Sequence, residues 1–395
     1  MNVPDPALRH RIRPRFLILA GLTGAFALLS STMSKTPTLP LFAHHLGADP
    51  AAIGATAMAS TIPGILISLP AGLLRDRLGA RPLLLLALFV FATAPFLYLL
   101  VTDIAQLALI RFYHGFATAI FGTALTAEIA ERFRGKRGQA LATYSAMSTV
   151  GRSCAPFLGG FLISTTGFPG VFLGCGAAAL AALVLGIRLP AVRPRSQARE
   201  THTKTSVAAV WHDPIIRATS LVEATQFLVY GAVEAFLALY TTRTGWPAWK
   251  TGILLGLQLV SVVFLKPYFG RLSDRHGRAR FIRAGLVAGA VSLCALPFTH
   301  AFVPLLVINM LFGAGFAATT AATSALVGDR SRAGGFGAGM GLLRTIMDVG
   351  QATGPVLTGV AVAIGGYHLA FPLLGVLLAA VLLLFVSDTR ATQVP

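Results

Sequence analysis

The chain has 395 residues, of which 55% are hydrophobic and only 12% charged, at a mean hydropathy of +0.74. A soluble domain carries about a quarter charged residues, so a soluble globular protein is excluded. The formal charge of +18 comes from 32 basic and 14 acidic residues, but the bases sit in short clusters between long apolar runs and share no solvated face, which excludes a nucleic-acid binder. Cys154, Cys175 and Cys294 all lie inside apolar runs without metal spacing, so they read as small buried side chains, with no disulfide framework and no metal site.

At about 20 apolar residues per crossing of a ~30 Å hydrocarbon core, the first half predicts spans at Phe16 to Phe42, Ala51 to Leu74, Pro82 to Val101, Ile104 to Ala130, Gly138 to Ile163 and Gly170 to Ile187. The second half predicts them at Ala218 to Tyr240, Thr251 to Leu272, Phe281 to Pro297, Ala301 to Val327, Ala338 to Ile364 and His368 to Val386. Arg9 to Arg15 precede an apolar run too long for a signal-peptide core, so that run reads as a retained first helix. Basic clusters at Arg9 to Arg15, Arg75 to Arg81, Arg132 to Arg137, Arg271 to Arg283 and Arg330 to Arg332 fall on alternate loops, which places both termini in the cytoplasm. The fold class is therefore an all-α integral membrane protein with twelve transmembrane helices. The expected divisions are a six-helix bundle over 1–188, a basic cytoplasmic linker over 189–216 and a second six-helix bundle over 217–395. The linker turns amphipathic around Val207 to Ile216, where Trp211 reads as an interfacial anchor.

The two halves repeat each other. Gly72, Asp76, Arg77 and Gly79 recur 198 residues later as Gly270, Asp274, Arg275 and Gly277, and Glu131 maps to Asp329. Further on the shift is 199: Gly151, Ala155, Pro156 and Gly160 correspond to Gly350, Gly354, Pro355 and Gly359. Two parallel, pseudo-symmetric units suit an alternating-access transporter with a site near the midplane.

The loop from Gly72 through Asp76, Arg77 and Gly79 to Arg81 resembles the signature loop of the major facilitator superfamily, with Ala80 where a basic residue is usual. Gly151, Ala155, Pro156, Gly159 and Gly160 form a segment similar to the fifth-helix motif of that family's twelve-helix drug:proton antiporters. Small residues at this spacing let helices touch, and proline bends the axis. Arg111 and His114 stand in a segment resembling the fourth-helix motif of proton-coupled members. The resemblance implies that Asp76, its neighbouring arginines, Glu128 and Glu131 latch the cytoplasmic side, with Gly270, Asp274, Arg275, Gly277 and Asp329 as the second copy. It also implies residence in a bacterial cytoplasmic membrane.

Charges within spans are costly and mark function by default. They are Lys35, Arg111, Arg152, Glu223, Glu234, Lys266, Arg344 and Asp348. Arg111, Arg152 and Arg344, with His114, are expected to bind substrate; a cationic wall suits an anionic or zwitterionic group, for which arginine offers paired donors. Glu223 and Asp348, with Glu234 behind them, are expected to carry the coupling proton. Lys35 and Glu234 lie at nearly equivalent repeat positions and are expected to form an outer gate. His44 and His45 are too few to hold a metal. No phosphate-cradling loop is present, so ATP is not the driver and no cofactor is implied. The expectation is a non-enzymatic, monomeric secondary transporter in the lipid bilayer, exporting a small organic molecule against protons. The alternatives are a proton symporter importing an organic acid or related nutrient, and a lipid or lysolipid flippase.

Overall fold

The computed structural model describes residues 6–64, 66–67, 79–190, 213–330 and 336–391. The elements are α1 (Pro6–Lys35), α2 (Thr38–His45), α3 (Pro50–Ala59), α4 (Ala80–Tyr98), α5 (Ile104–Arg132), α6 (Arg137–Ile187), α7 (Pro214–Arg243), α8 (Ala248–His276), α9 (Arg278–Ala295), α10 (Phe302–Arg330) and α11 (Phe336–Ala391), with short 3₁₀ turns at Arg134–Lys136 and Leu296–Phe298. Nine candidate membrane spans are present among the described residues. Two of them, within α6 and α11, are 51 and 47 residues long, far more than the ~20 needed for one crossing. Each is broken once, by a glycine in the left-handed region: Gly167 at φ 72° and Gly366 at φ 69°. The sequence-predicted boundaries of the fifth and sixth and of the eleventh and twelfth spans lie on either side of these two breaks.

Local chemistry explains where other helices start and stop. Pro37 has no N–H to give the Met33 carbonyl four residues earlier, so α1 ends; the Thr38 hydroxyl donates to that carbonyl instead, at 2.6 Å. Asp103 caps α5 by accepting from the Gln106 N–H at 2.9 Å, and Asp213 caps α7 by accepting from the Ile215 N–H at 2.8 Å, with Pro214 in the first turn. Large apolar side chains such as Phe89, Leu109, Phe161, Leu173 and Leu383 stay exposed. That cost is removed when the surrounding solvent is lipid.

The residues divide into two compact units, 1–46 with 59–197 and 47–58 with 198–395. In the first, Phe16, Leu84, Leu88, Phe91, Phe121 and Leu125 form the centre of a continuous buried core. The internal geometry of the two units repeats as the sequence does. The glycines with positive φ pair off between the units as Gly79 with Gly277 and Gly167 with Gly366, and Gly47 matches Gly245 along the sequence repeat. A Cβ on Gly151 would collide with the Ala25 carbonyl, and one on Gly350 with the Ala224 carbonyl; both partners are again 199 residues apart. Within the second unit, the segment Pro50–Met58 crosses α11 in the same intimate way, Gly54 against Pro355 and Gly359 against Pro50.

One sequence expectation is corrected here. Cys175 is buried, but Cys154 and Cys294 are exposed. An apolar neighbourhood implies burial only when the solvent is water, and a lipid-bathed helix presents apolar residues on its outer face as well. The linker's amphipathic segment, around Val207 to Ile216, falls mostly outside the described residues, as do Gly72, Asp76 and Arg77.

Candidate functional site

The first unit buries a cation. Arg111, on α5, is 3% exposed and His114, one turn further, 2%. The Arg111 guanidinium donates to the Ser60 hydroxyl at 2.7 Å and to the Tyr98 phenol at 3.4 Å. The same phenol lies 3.1 Å from His114 Nδ1, and the His114 ring meets Phe91 edge-on at 5.5 Å between centroids. Gly115 makes this possible, since any Cβ there would strike the Ser60 carbonyl. Arg111 Nε and His114 Nε2 are buried without a hydrogen-bond partner, and no carboxylate pairs with Arg111 among the described residues. Hydroxyl dipoles offset only part of the penalty of burying an unpaired charge, which runs to several kcal/mol. The node is a preformed donor set with spare capacity for an anion. Arg152, expected beside it, is exposed and makes no hydrogen bond or ion pair among the described residues.

The second unit buries an acidic side chain. Glu223, on α7, is 0% exposed. One carboxylate oxygen accepts from the Thr323 hydroxyl of α10 at 2.5 Å, and the other has no partner. One turn along α7, Gln226 donates to the Thr319 hydroxyl at 3.3 Å, while the Ser220 hydroxyl and the Gln226 carbonyl oxygen are also unpartnered. Lys266, on α8, is the cation whose field reaches Glu223. Asp348 and Arg344 bond to each other at 3.1 Å across one turn of α11, with side-chain exposures of 32% and 71%. A pair so exposed contributes ~0–1 kcal/mol, so Asp348 occupies a wetter and less demanding site than Glu223. Glu234 accepts from Gln351 at 3.5 Å.

The repeat extends into these nodes. Arg111 corresponds to Asn309, Ser60 to Gln258 and Gly115 to Gly313, each 198 residues apart. Asn309 is fully buried and donates to the Leu254 carbonyl at 2.8 Å. A Cβ on Gly313 would meet the Gln258 carbonyl at 3.0 Å. One ancestral polar crossing thus carries a cation in one unit and a neutral amide in the other.

At the basic loops, Arg278 pairs with Asp274 at 2.6 Å and with Asp329 at 2.8 Å. Arg278 holds the place that Ala80 takes in the first copy. In the first unit, Glu128 pairs with Arg132 at 2.9 Å. Arg132 also donates to the Pro190 carbonyl, and Arg81 donates to the carbonyls of Leu189 and Ile187 at 3.0 and 3.2 Å. These arginines cap the end of α6. Sequence reasoning missed Tyr98, Ser60, Thr319, Thr323 and Gln226. The cluster of threonines at 319, 320 and 323 inside an apolar helix was the one available signal. No group of three or more metal-ligating side chains occurs among the described residues.

A family model described as "Major Facilitator Superfamily" matches residues 20–265 and 250–395. The chain is 25% identical over 351 residues to multidrug resistance protein 1 of Bacillus subtilis, covering 87% of this chain and 88% of that one. Its fold is similar to that of the nucleoside transporter NupG, with a TM-score of 0.83 at 14% identity, covering 94% of this chain and 99% of that structure. It is also similar to a bacterial homolog of the human lysosomal transporter Spinster, with a TM-score of 0.81 at 16% identity and 98% of each chain covered.

Proposed function

The chain belongs to the Major Facilitator Superfamily, and from that premise we propose that it is a proton-coupled exporter of small organic molecules bearing an anionic or zwitterionic group. It is a multi-pass membrane transporter and not an enzyme. Its proposed topology is twelve helices in two six-helix bundles, 1–188 and 217–395, with both termini on the cytoplasmic side of a bacterial inner membrane and a single chain as the working unit. The likeness to a multidrug resistance protein supports efflux.

Glu223 carries the coupling assignment. A carboxylate with 0% exposure and only one hydrogen-bond donor is where a proton is held and released with the greatest consequence for the local electrostatics. Asp348, half open and already paired with Arg344, is the secondary candidate. Arg111, buried with no carboxylate beside it, supports an anionic substrate group, with His114 positioned through Tyr98. Arg152 and Arg344, both exposed, would act earlier, attracting the substrate to the pathway.

Reconstituted proteoliposomes test the reading. With an inside-acid gradient, an antiporter accumulates its substrate; a symporter does so only with an outside-acid gradient. Counterflow with a panel of anionic, zwitterionic and cationic amphipaths, and with a lysophospholipid, assigns the substrate class. Glu223→Gln should abolish gradient-driven accumulation while retaining exchange without a gradient, and wild-type accumulation in that variant removes Glu223 from the mechanism.

A further inference from the structure

The Thr323 hydroxyl has one proton and two acceptors within reach. One is the Glu223 carboxylate at 2.5 Å; the other is the carbonyl of Thr319, one turn earlier on α10, at 3.0 Å. It can satisfy only one at a time. A charged carboxylate is the stronger acceptor, so while Glu223 is ionised the hydroxyl points across to α7. A neutral acid has lost that advantage and can itself donate its O–H to Thr323 Oγ, so the hydroxyl proton then turns back to its own helix. No covalent bond breaks at Thr323; the proton gained or lost by Glu223 exchanges with the aqueous pathway, and Thr323 only rotates about its Cβ–Oγ bond.

We infer that Thr323 is the positioning residue for the coupling carboxylate, its hydroxyl proton switching between Glu223 and the Thr319 carbonyl as Glu223 loses and gains its proton. This rests on the reading of Glu223 as the proton carrier. Two observations take the switch beyond a single contact. Thr323 is the only hydrogen-bond donor to the Glu223 side chain among the described residues. Thr319, which receives the hydroxyl in the neutral state, also accepts from Gln226 of α7 at 3.3 Å. The protonation state of one buried acid therefore decides the direction of the hydrogen bond that joins α7 to α10 at Thr323, while the Gln226 to Thr319 bond stays in place. Beyond Thr323, the ionisable groups of the elements packed on this stretch are Lys266 of α8, whose charge reaches Glu223, Arg344 and Asp348 of α11, paired with each other, and Asp329 and Arg330 at the end of α10.

The test uses protons alone as the probe. In the full-length purified protein, the infrared band of the protonated Glu223 carboxyl is identified by its absence in Glu223→Gln and titrated with pH. Thr323→Val matches the side chain in shape but removes the donor that favours the charged form, so the titration midpoint should rise by about one pH unit. Thr323→Ser, which keeps the hydroxyl, should stay within about 0.3 unit of wild type. If Val packs poorly, Thr323→Ala set against Thr323→Ser gives the same contrast. A Glu223 band whose midpoint is unmoved in the hydroxyl-free variants overturns the switch while leaving Glu223 as proton carrier. No pH-dependent band lost in Glu223→Gln overturns the carrier reading, and the switch with it.

Discussion

Arg111 keeps a full charge where hydroxyls, and no carboxylate, are its partners. Removing it takes away an ionic donor set, and an uncharged replacement of similar length also relieves the burial penalty, so binding and stability should move in opposite directions. Arg111→Met is expected to weaken an anionic ligand at least tenfold in equilibrium binding, to leave a cationic ligand within about twofold, and to hold or raise the thermal midpoint. Equal loss for both ligands would assign Arg111 a purely structural role. Tyr98 bridges the guanidinium and the imidazole through one oxygen. Tyr98→Phe leaves both His114 nitrogens without a hydrogen-bond partner among the described residues and should cost ~1–3 kcal/mol in unfolding free energy, measured by denaturant titration in detergent.

Helices in this chain approach each other through glycine, and the two units show how much closeness each crossing demands. At Gly115 a Cβ would strike the Ser60 carbonyl, whereas at Gly313 it would meet the Gln258 carbonyl at 3.0 Å, which a small backbone shift relieves. Gly115→Ala should therefore destabilise by ~1–3 kcal/mol and Gly313→Ala by visibly less, in paired thermal-shift measurements. An equal loss would mean that the first crossing relaxes as readily as the second. The basic loop of the second unit is held by Arg278 between Asp274 and Asp329. These groups are partly exposed, so Arg278→Ala should cost ~1 kcal/mol or less, and the difference from wild type should shrink at high salt.

For the whole molecule, the proposed topology of twelve crossings with alternate basic loops predicts a definite labelling pattern. Single cysteines placed at Thr102 and Thr244, in a background without the exposed Cys154 and Cys294, should react with an impermeant maleimide added to intact cells. One placed at Arg330 should react only after permeabilisation. The reverse pattern would invert the topology. Each compact unit carries its own buried polar node, a cation in one and an acid in the other. On the proposed function, these two nodes divide substrate recognition and proton handling between units of repeated sequence.

The sequence by itself determined the membrane class, the repeat and most span boundaries, because lipid demands long apolar runs and each positive-φ glycine is written twice, as at Gly79 and Gly277 or Gly167 and Gly366. It also marked Arg111 and Glu223 as costly charges, since a charge in a span is visible without coordinates. The tertiary structure alone decided which of those charges are buried. Arg152 and Arg344 are exposed, whereas Arg111 and Glu223 are enclosed. In lipid, apolar neighbours flank buried and exposed positions alike, so the hydropathy pattern that sorts residues in a water-soluble protein cannot separate them. Nor could spacing along the chain show that Ser60 and Tyr98 reach Arg111, or that Thr323 reaches Glu223. Those partners lie on other helices or, for Ser60, in the turn after α3, and only the packing of these elements brings their hydroxyls to the charges.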